Sequence, residues 1–184
     1  MKKKLNEIAN IKFCLATKSD NPVKAKTLTP INLLENNTIN EMVFDDKQKI
    51  DDSLRVTSQN IIIKRIVPSF VNYIDEIEDD VYAGGNLILI NNISVNPKYL
   101  SCILNEKIKN ITQSLTGATI PAISRRDLEE VQIPIPPMEK QIIIGELWYK
   151  NIELKKLKDR LATLEMTNHK YTLNQIIDKY SGGK

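Results

Sequence analysis

With 184 residues, 41% of them hydrophobic and 27% charged, the chain has room for one domain with a real core plus an appended element, in an ordinary globular balance. Twenty-six basic residues against 23 acidic ones give a formal charge of +3, which permits an anionic partner without requiring one. No apolar run approaches bilayer length, the basic start Met1-Lys2-Lys3-Lys4-Leu5 lacks the apolar core of a signal peptide, and the separated Cys14 and Cys102 read as reduced thiols of a cytoplasmic protein.

The first fifty residues, with their Asn, Thr and Pro content, read as loops with short strands between them. Asn60-Ile61-Ile62-Ile63-Lys64-Arg65-Ile66-Val67 is rich in β-branched residues and stops at Pro68, the pattern of a buried strand. A second strand is expected at Asn86-Leu87-Ile88-Leu89-Ile90, introduced by the turn-forming Gly84-Gly85. Asn96 can then cap a helix with Pro97 at its first position and Tyr99, Leu100, Ile103, Leu104 and Ile108 as its apolar stripe. Ser124 followed by Asp127 resembles a capping box for a short helical turn. The alternation Val131, Ile133, Ile135 gives an edge strand, the place where Pro134 is tolerable.

From Met138 the pattern changes to one long helix. Ile143, Lys150, Leu157, Leu164 and Tyr171 lie seven apart, and Leu147, Leu154, Leu161 and Asn168 form the second seven-residue series. Together they make a coiled-coil seam with polar breaks at Lys150 and Asn168. Roughly 40 residues at about 1.5 Å each give a rod of about 60 Å, too long to hide its seam on so small a domain. The seam therefore asks for a partner helix; the competing reading is a helix folded back on its own domain. The expected architecture is α+β: a mixed domain over residues 1–137, then a dimerisation helix over 138–180.

Catalytic apparatus is missing from this reading. There is no glycine-rich nucleotide fingerprint or P-loop, and Asn96-Pro97-Lys98-Tyr99 lacks the second proline of an amino-methyltransferase motif. The carboxylate pairs Asp45/Asp46, Asp51/Asp52 and Asp79/Asp80 sit in loop-like, solvated sequence, a poor setting for two-metal chemistry. His169 is the sole histidine, on or near the helix seam, so a histidine metal cluster and a Cys/His dyad are excluded. No enzyme activity and no cofactor are expected of the chain itself.

One segment is more specific than the rest: Gly117 through Gln141, with Thr119-Ile120-Pro121-Ala122-Ile123-Ser124, the Asp127-Leu128 turn, Ile133-Pro134-Ile135-Pro136-Pro137 and the helix opening Glu139-Lys140-Gln141. It resembles the domain–helix junction of DNA-specificity subunits of type I restriction-modification systems, with Lys140-Gln141 where the family pattern has Glu-Gln. Asn60–Lys64, Gly85-Asn86-Leu87-Ile88 and Asn96–Leu100 resemble the family's central strands and following helix, extending the likeness over most of residues 54–175. The resemblance implies a half-length specificity subunit with one target-recognition domain and one helix, where the family normally has two of each. It further implies double-stranded DNA as partner, methyltransferase subunits that carry their own cofactor, restriction subunits that join for cleavage, and a two-fold homodimer that restores the two-domain arrangement. Ile143, Leu147, Leu154, Leu157, Leu161, Leu164 and Tyr171 would make that dimer.

Candidate DNA contacts follow from side-chain chemistry. Lys64 and Arg65 at a strand end and Arg125 and Arg126 at the capping turn suit phosphate or guanine. Gln113, Ser114, Thr116 and Thr119, flanking Gly117, suit base-edge hydrogen bonds, and Lys2, Lys3 and Lys4 would add sequence-independent attraction. A competing reading is a coiled-coil scaffold or truncated subunit that binds partner subunits without reading DNA. A small nuclease is the least favoured.

Overall fold

The computed structural model describes residues 1–14, 25–40, 45–47, 51–77, 80–113 and 121–181. The two unbroken apolar runs form β7 (Ile61–Lys64) and β10 (Leu87–Asn91), paired antiparallel with Ile62 opposite Leu89. With β2 (Asn10–Cys14) and β8 (Val71–Tyr73) they build a four-stranded antiparallel sheet in the order β2-β10-β7-β8. Alternate side chains feed two cores. Ile61, Ile63, Ile88 and Ile90 join one face, and Ile62, Leu87, Leu89 and Cys14 the other. A sheet covered on both faces is why these strands lack polar alternation.

The expected strand over 60–67 is shorter than its sequence pattern, because Arg65 leaves the ladder. Its backbone N–H goes to the Asn86 carbonyl and its carbonyl accepts from Ile123 N–H, while Ile66 bridges Ala122. The peptide between Val67 and Pro68 is cis.

The second core is closed by β3 (Ala25–Leu28) and β9 (Val81–Ala83), which run parallel in a sheet ordered β6-β3-β9 with β6 (Asp45–Lys47), and by the hairpin of β4 (Leu33–Leu34) and β5 (Thr38–Ile39). Here the loop assignment of Asp45-Asp46 is corrected. Both lie in β6, opposite Thr27 and Lys26, so backbone pairing overrides the low strand propensity of aspartate. Asp51 instead opens a 3-10 turn at Asp52–Leu54, accepting Ser53 N–H at 2.8 Å, which holds its carboxyl below the usual range.

The first core is covered by helices. The lysine-rich N-terminus, with no strand signature of its own, forms β1 (Lys2–Lys4), which runs antiparallel to β11 (Gln132–Pro134) and leads into α1 (Leu5–Ile8). α2 (Pro97–Gln113) starts as its sequence predicts: Asn96 Oδ1 accepts the Tyr99 N–H at 2.9 Å, and Tyr99, Leu100, Leu104 and Ile108 are buried. α3 (Arg125–Glu129) is capped by Ser124, whose Oγ accepts the Asp127 N–H and gives its own proton to the Asp127 carboxylate at 2.6 Å.

α4 (Met138–Ser181) follows. The chain divides into two compact units, Met1–Tyr149 and Lys150–Lys184, so the first three turns of α4 belong to the first unit. The second unit is helical through Ser181, with Leu154, Leu157, Leu161, Leu164 and Tyr171 each at least half exposed.

Candidate nucleic-acid interface

Two of the predicted basic positions meet. β2 turns Phe13 toward the helix-covered face of the sheet, where it packs at the margin of the first core. Arg65, leaving the end of β7, brings its guanidinium 5.8 Å from the Phe13 ring centre, and Arg125 at the start of α3 lies 4.7 Å from the same ring. The backbone holds both. Arg65 Nε donates to the Ile123 carbonyl at 3.2 Å, and Arg125 Nη1 reaches the Ile11 carbonyl at 3.5 Å and Glu129 at 3.0 Å. Two guanidiniums share one aromatic ring, with Glu129 the one carboxylate partner either has among the described residues, which is an arrangement suited to a polyanion.

The other basic candidates separate. Strand alternation sends Lys64 to the opposite side from Arg65, its ammonium 5.2 Å from the Phe70 ring. Arg126, one residue beyond Arg125 on the helix, lines a groove of about 700 Å³ with Lys107, Asn110, Asp127, Glu130 and Gln132. Among the described residues no carboxylate pairs with Lys64, Arg65 or Arg126. Gln113 is exposed at the last position of α2, while Ser114, Thr116 and Thr119 lie outside the described residues. Lys4 is committed elsewhere: its ammonium meets Glu130 at 2.7 Å, a bond that raises the lysine pKa.

Acidic residues find their own cation. Arg55 pairs with Asp80 at 3.0 Å and Asp52 at 3.5 Å and bonds the Tyr82 hydroxyl, and it lines a second groove with Asp75, Glu76 and Asp80. Among the described residues no group of three potential metal ligands comes together, and no helix is long and apolar enough to cross a membrane.

The seam residues at the root of α4 face away from the domain. Gln141 and Gly145 are buried, whereas Ile143 and Leu147, two positions on, are 66% and 61% exposed. Sequence reasoning missed Phe13, whose signal is the alternation of Ile11 and Phe13 in a stretch that reads only as loops with short strands between them.

A family model for the type I restriction modification DNA specificity domain matches residues 1–165. The chain belongs to that family. Solved structures of type I systems share its fold. A chain from a structure of the type I R-M system, concerned with complex assembly and conformational transition, superposes with a TM-score of 0.64 at 17% identity, covering 96% of this chain and 44% of that one. The S subunit from M. genitalium gives 0.55 at 16%, covering 91% and 43%. The HsdS subunit from Thermoanaerobacter tengcongensis gives 0.61 at 16%, covering 88% and 39%. The specificity-family chain described here thus spans less than half the length of each of these solved chains. Its mixed α/β domain and long C-terminal helix are those of specificity subunits.

Proposed function

We propose that the chain is a non-catalytic DNA sequence-recognition subunit of a type I restriction-modification system. Two copies pair about a two-fold axis through the α4 seam and read a bipartite, symmetric target. Methyltransferase subunits dock on the pair and supply the chemistry, and restriction subunits join them for cleavage.

The observation that carries this reading is the seam. Ile143, Leu147, Leu154, Leu157, Leu161, Leu164 and Tyr171 are all at least half exposed in a family whose members read DNA specificity. Burying one such side chain stabilises by about 1.5–3 kcal/mol, so seven per copy are a strong drive toward an isologous partner. The Phe13–Arg65–Arg125 cluster supplies the electrostatic contact. Phosphate contacts of this kind position a protein on duplex DNA, and an arginine that reaches a guanine edge adds discrimination of about 1–3 kcal/mol.

The test is selection of binding sites from a randomised duplex library by the full chain, followed by affinity measurements at several salt concentrations. The expected result is a symmetric bipartite site, with Arg65→Ala and Arg125→Ala each weakening binding by about tenfold or more and flattening the salt dependence. A stable pair that enriches no sequence would replace this reading with that of a scaffold. Unchanged affinity in both variants would remove the cluster from the interface.

A further inference from the structure

The turn joining β7 to β8 has a surface that the basic cluster beside it does not explain. Ile66, Val67, Pro68 and Ser69 lie between Arg65 and Phe70, and the first three have side chains of carbon alone. Pro68 is exposed, and Ile66 and Val67 are partly so. The one polar side chain is withdrawn: the Ser69 oxygen is shielded from solvent and has no hydrogen-bond partner among the described residues. Carbon on a protein surface is ordinary by itself. What distinguishes this patch is how it is held and what flanks it.

Its backbone is tied on three sides. Lys64 N–H donates to the Phe70 carbonyl at 2.9 Å and closes the turn. Arg65 N–H donates to the Asn86 carbonyl and Val67 N–H to the Pro121 carbonyl, both at 3.1 Å, while the Arg65 carbonyl accepts Ile123 N–H at 3.0 Å. Pro68 has no N–H at all. Val67 and Pro68 therefore keep no backbone donor for a ligand, and their side chains offer only apolar contact. The ribbon leading into the turn carries a cation on each face, Lys64 beside Phe70 and Arg65 beside Phe13, and neither meets a carboxylate among the described residues.

We infer, resting on the DNA-recognition reading above, that Val67 and Pro68 enter the major groove of the target and read the methyl group of a thymine, with Lys64 and Arg65 on phosphates to either side. Widths choose the groove. Strands about 4.8 Å apart, with their side chains added, make a ribbon that a major groove about 12 Å wide admits and a minor groove about 6 Å wide does not. Chemistry chooses the base. Every base edge in the major groove offers donors or acceptors, and thymine alone adds a methyl group, the one feature that an apolar surface without donors can recognise. A turn already fixed by its own hydrogen bonds loses little freedom in making that contact.

The probe is the duplex that the full chain selects from a randomised library, remade with deoxyuridine in place of each thymine in turn. That exchange removes the C5 methyl and leaves every donor and acceptor in place. At one thymine of the recognised sequence, the wild-type chain should bind the deoxyuridine duplex about fourfold more weakly, the loss expected for one buried methyl-sized group. Val67→Ala should bind the two duplexes equally well. Lys64→Ala should weaken binding to both alike and reduce the salt slope by about one. The wild-type comparison needs no variant, so it stands even where Val67→Ala fails to fold. A chain that selects a defined sequence yet tolerates deoxyuridine at every position, or selects one without thymine, would overturn the inference. So would a folded Val67→Ala variant with the wild-type sensitivity. A chain that selects no sequence would instead overturn the recognition reading itself.

Discussion

The two stretches of α4 present different surfaces. Over Met138–Tyr149 the domain-facing positions are polar or small and individually matched: the Gln141 amide with two bonds, Gly145 with no room for a Cβ, the Glu146 carboxylate on Lys98 and the Tyr149 phenol on Asp75. Over Lys150–Ser181 the informative positions are leucines repeated every three or four residues, all exposed. Specific polar contacts define one orientation on one neighbour, whereas a heptad seam accepts a helix of matching repeat. The first stretch is completed within the chain, and the second is the one we propose pairs with another copy.

The largest expected effect breaks the second stretch. Leu157→Asp with Leu161→Asp places four charges in a seam-paired dimer and removes four leucines from burial, about 6 kcal/mol or more in total. Sedimentation should show dimer association weakened by about 10⁴-fold, with helical content little changed. The first stretch responds in stability instead. Gly145→Ala should lower the melting temperature by several degrees, a cost of about 2 kcal/mol, because the added Cβ meets backbone 2.7 Å away. Helix propensity alone predicts the opposite sign, a gain of about 1 kcal/mol, so calorimetry separates the two. Gln141→Leu should cost about 2 kcal/mol by leaving the Asn96 N–H and the Pro136 carbonyl unpaired.

Smaller effects test the surroundings of the first stretch. Burial and the nearby Asp75 push the Tyr73 hydroxyl up to about 12. A phenol that ionises near 10 when unfolded and near 12 when folded stabilises the native state fully below pH 10 and loses that contribution as pH rises toward 12. Urea midpoints at pH 9 and pH 11 should diverge, and Tyr73→Phe should narrow the gap. Smallest is the behaviour of Cys14, 2% exposed, with burial raising its thiol to about 11. Alkylation at pH 8 should leave Cys14 unmodified in the native chain and label it in urea.

Much of this was legible in the sequence where a segment carries its own signal. The apolar runs of β7 and β10, the Asn96-Pro97 start of α2, the Ser124 cap and the seven-residue repeat of α4 each report local geometry. The parts that failed depend on distant pairing. Lys2–Lys4 become a strand through β11, and Asp45-Asp46 through β3, neither of which their own propensities favour. At the candidate interface, Arg125 and Arg126 read as one basic pair, but consecutive helical residues diverge by about 100°, and only Arg125 joins Arg65 over Phe13. Gln141 stood out through family resemblance, yet its role needed its partner Asn96, 45 residues upstream.

The proposed pairing of two copies through the exposed seam of α4 is open to a simple measurement. Light scattering on the full chain at micromolar concentration addresses it most directly. A seam-paired chain should show a mass of twice the 21.0 kDa of one chain, falling to a single chain in the Leu157→Asp, Leu161→Asp variant. A wild-type chain that stays at 21.0 kDa would contradict it and assign the seam to a different subunit.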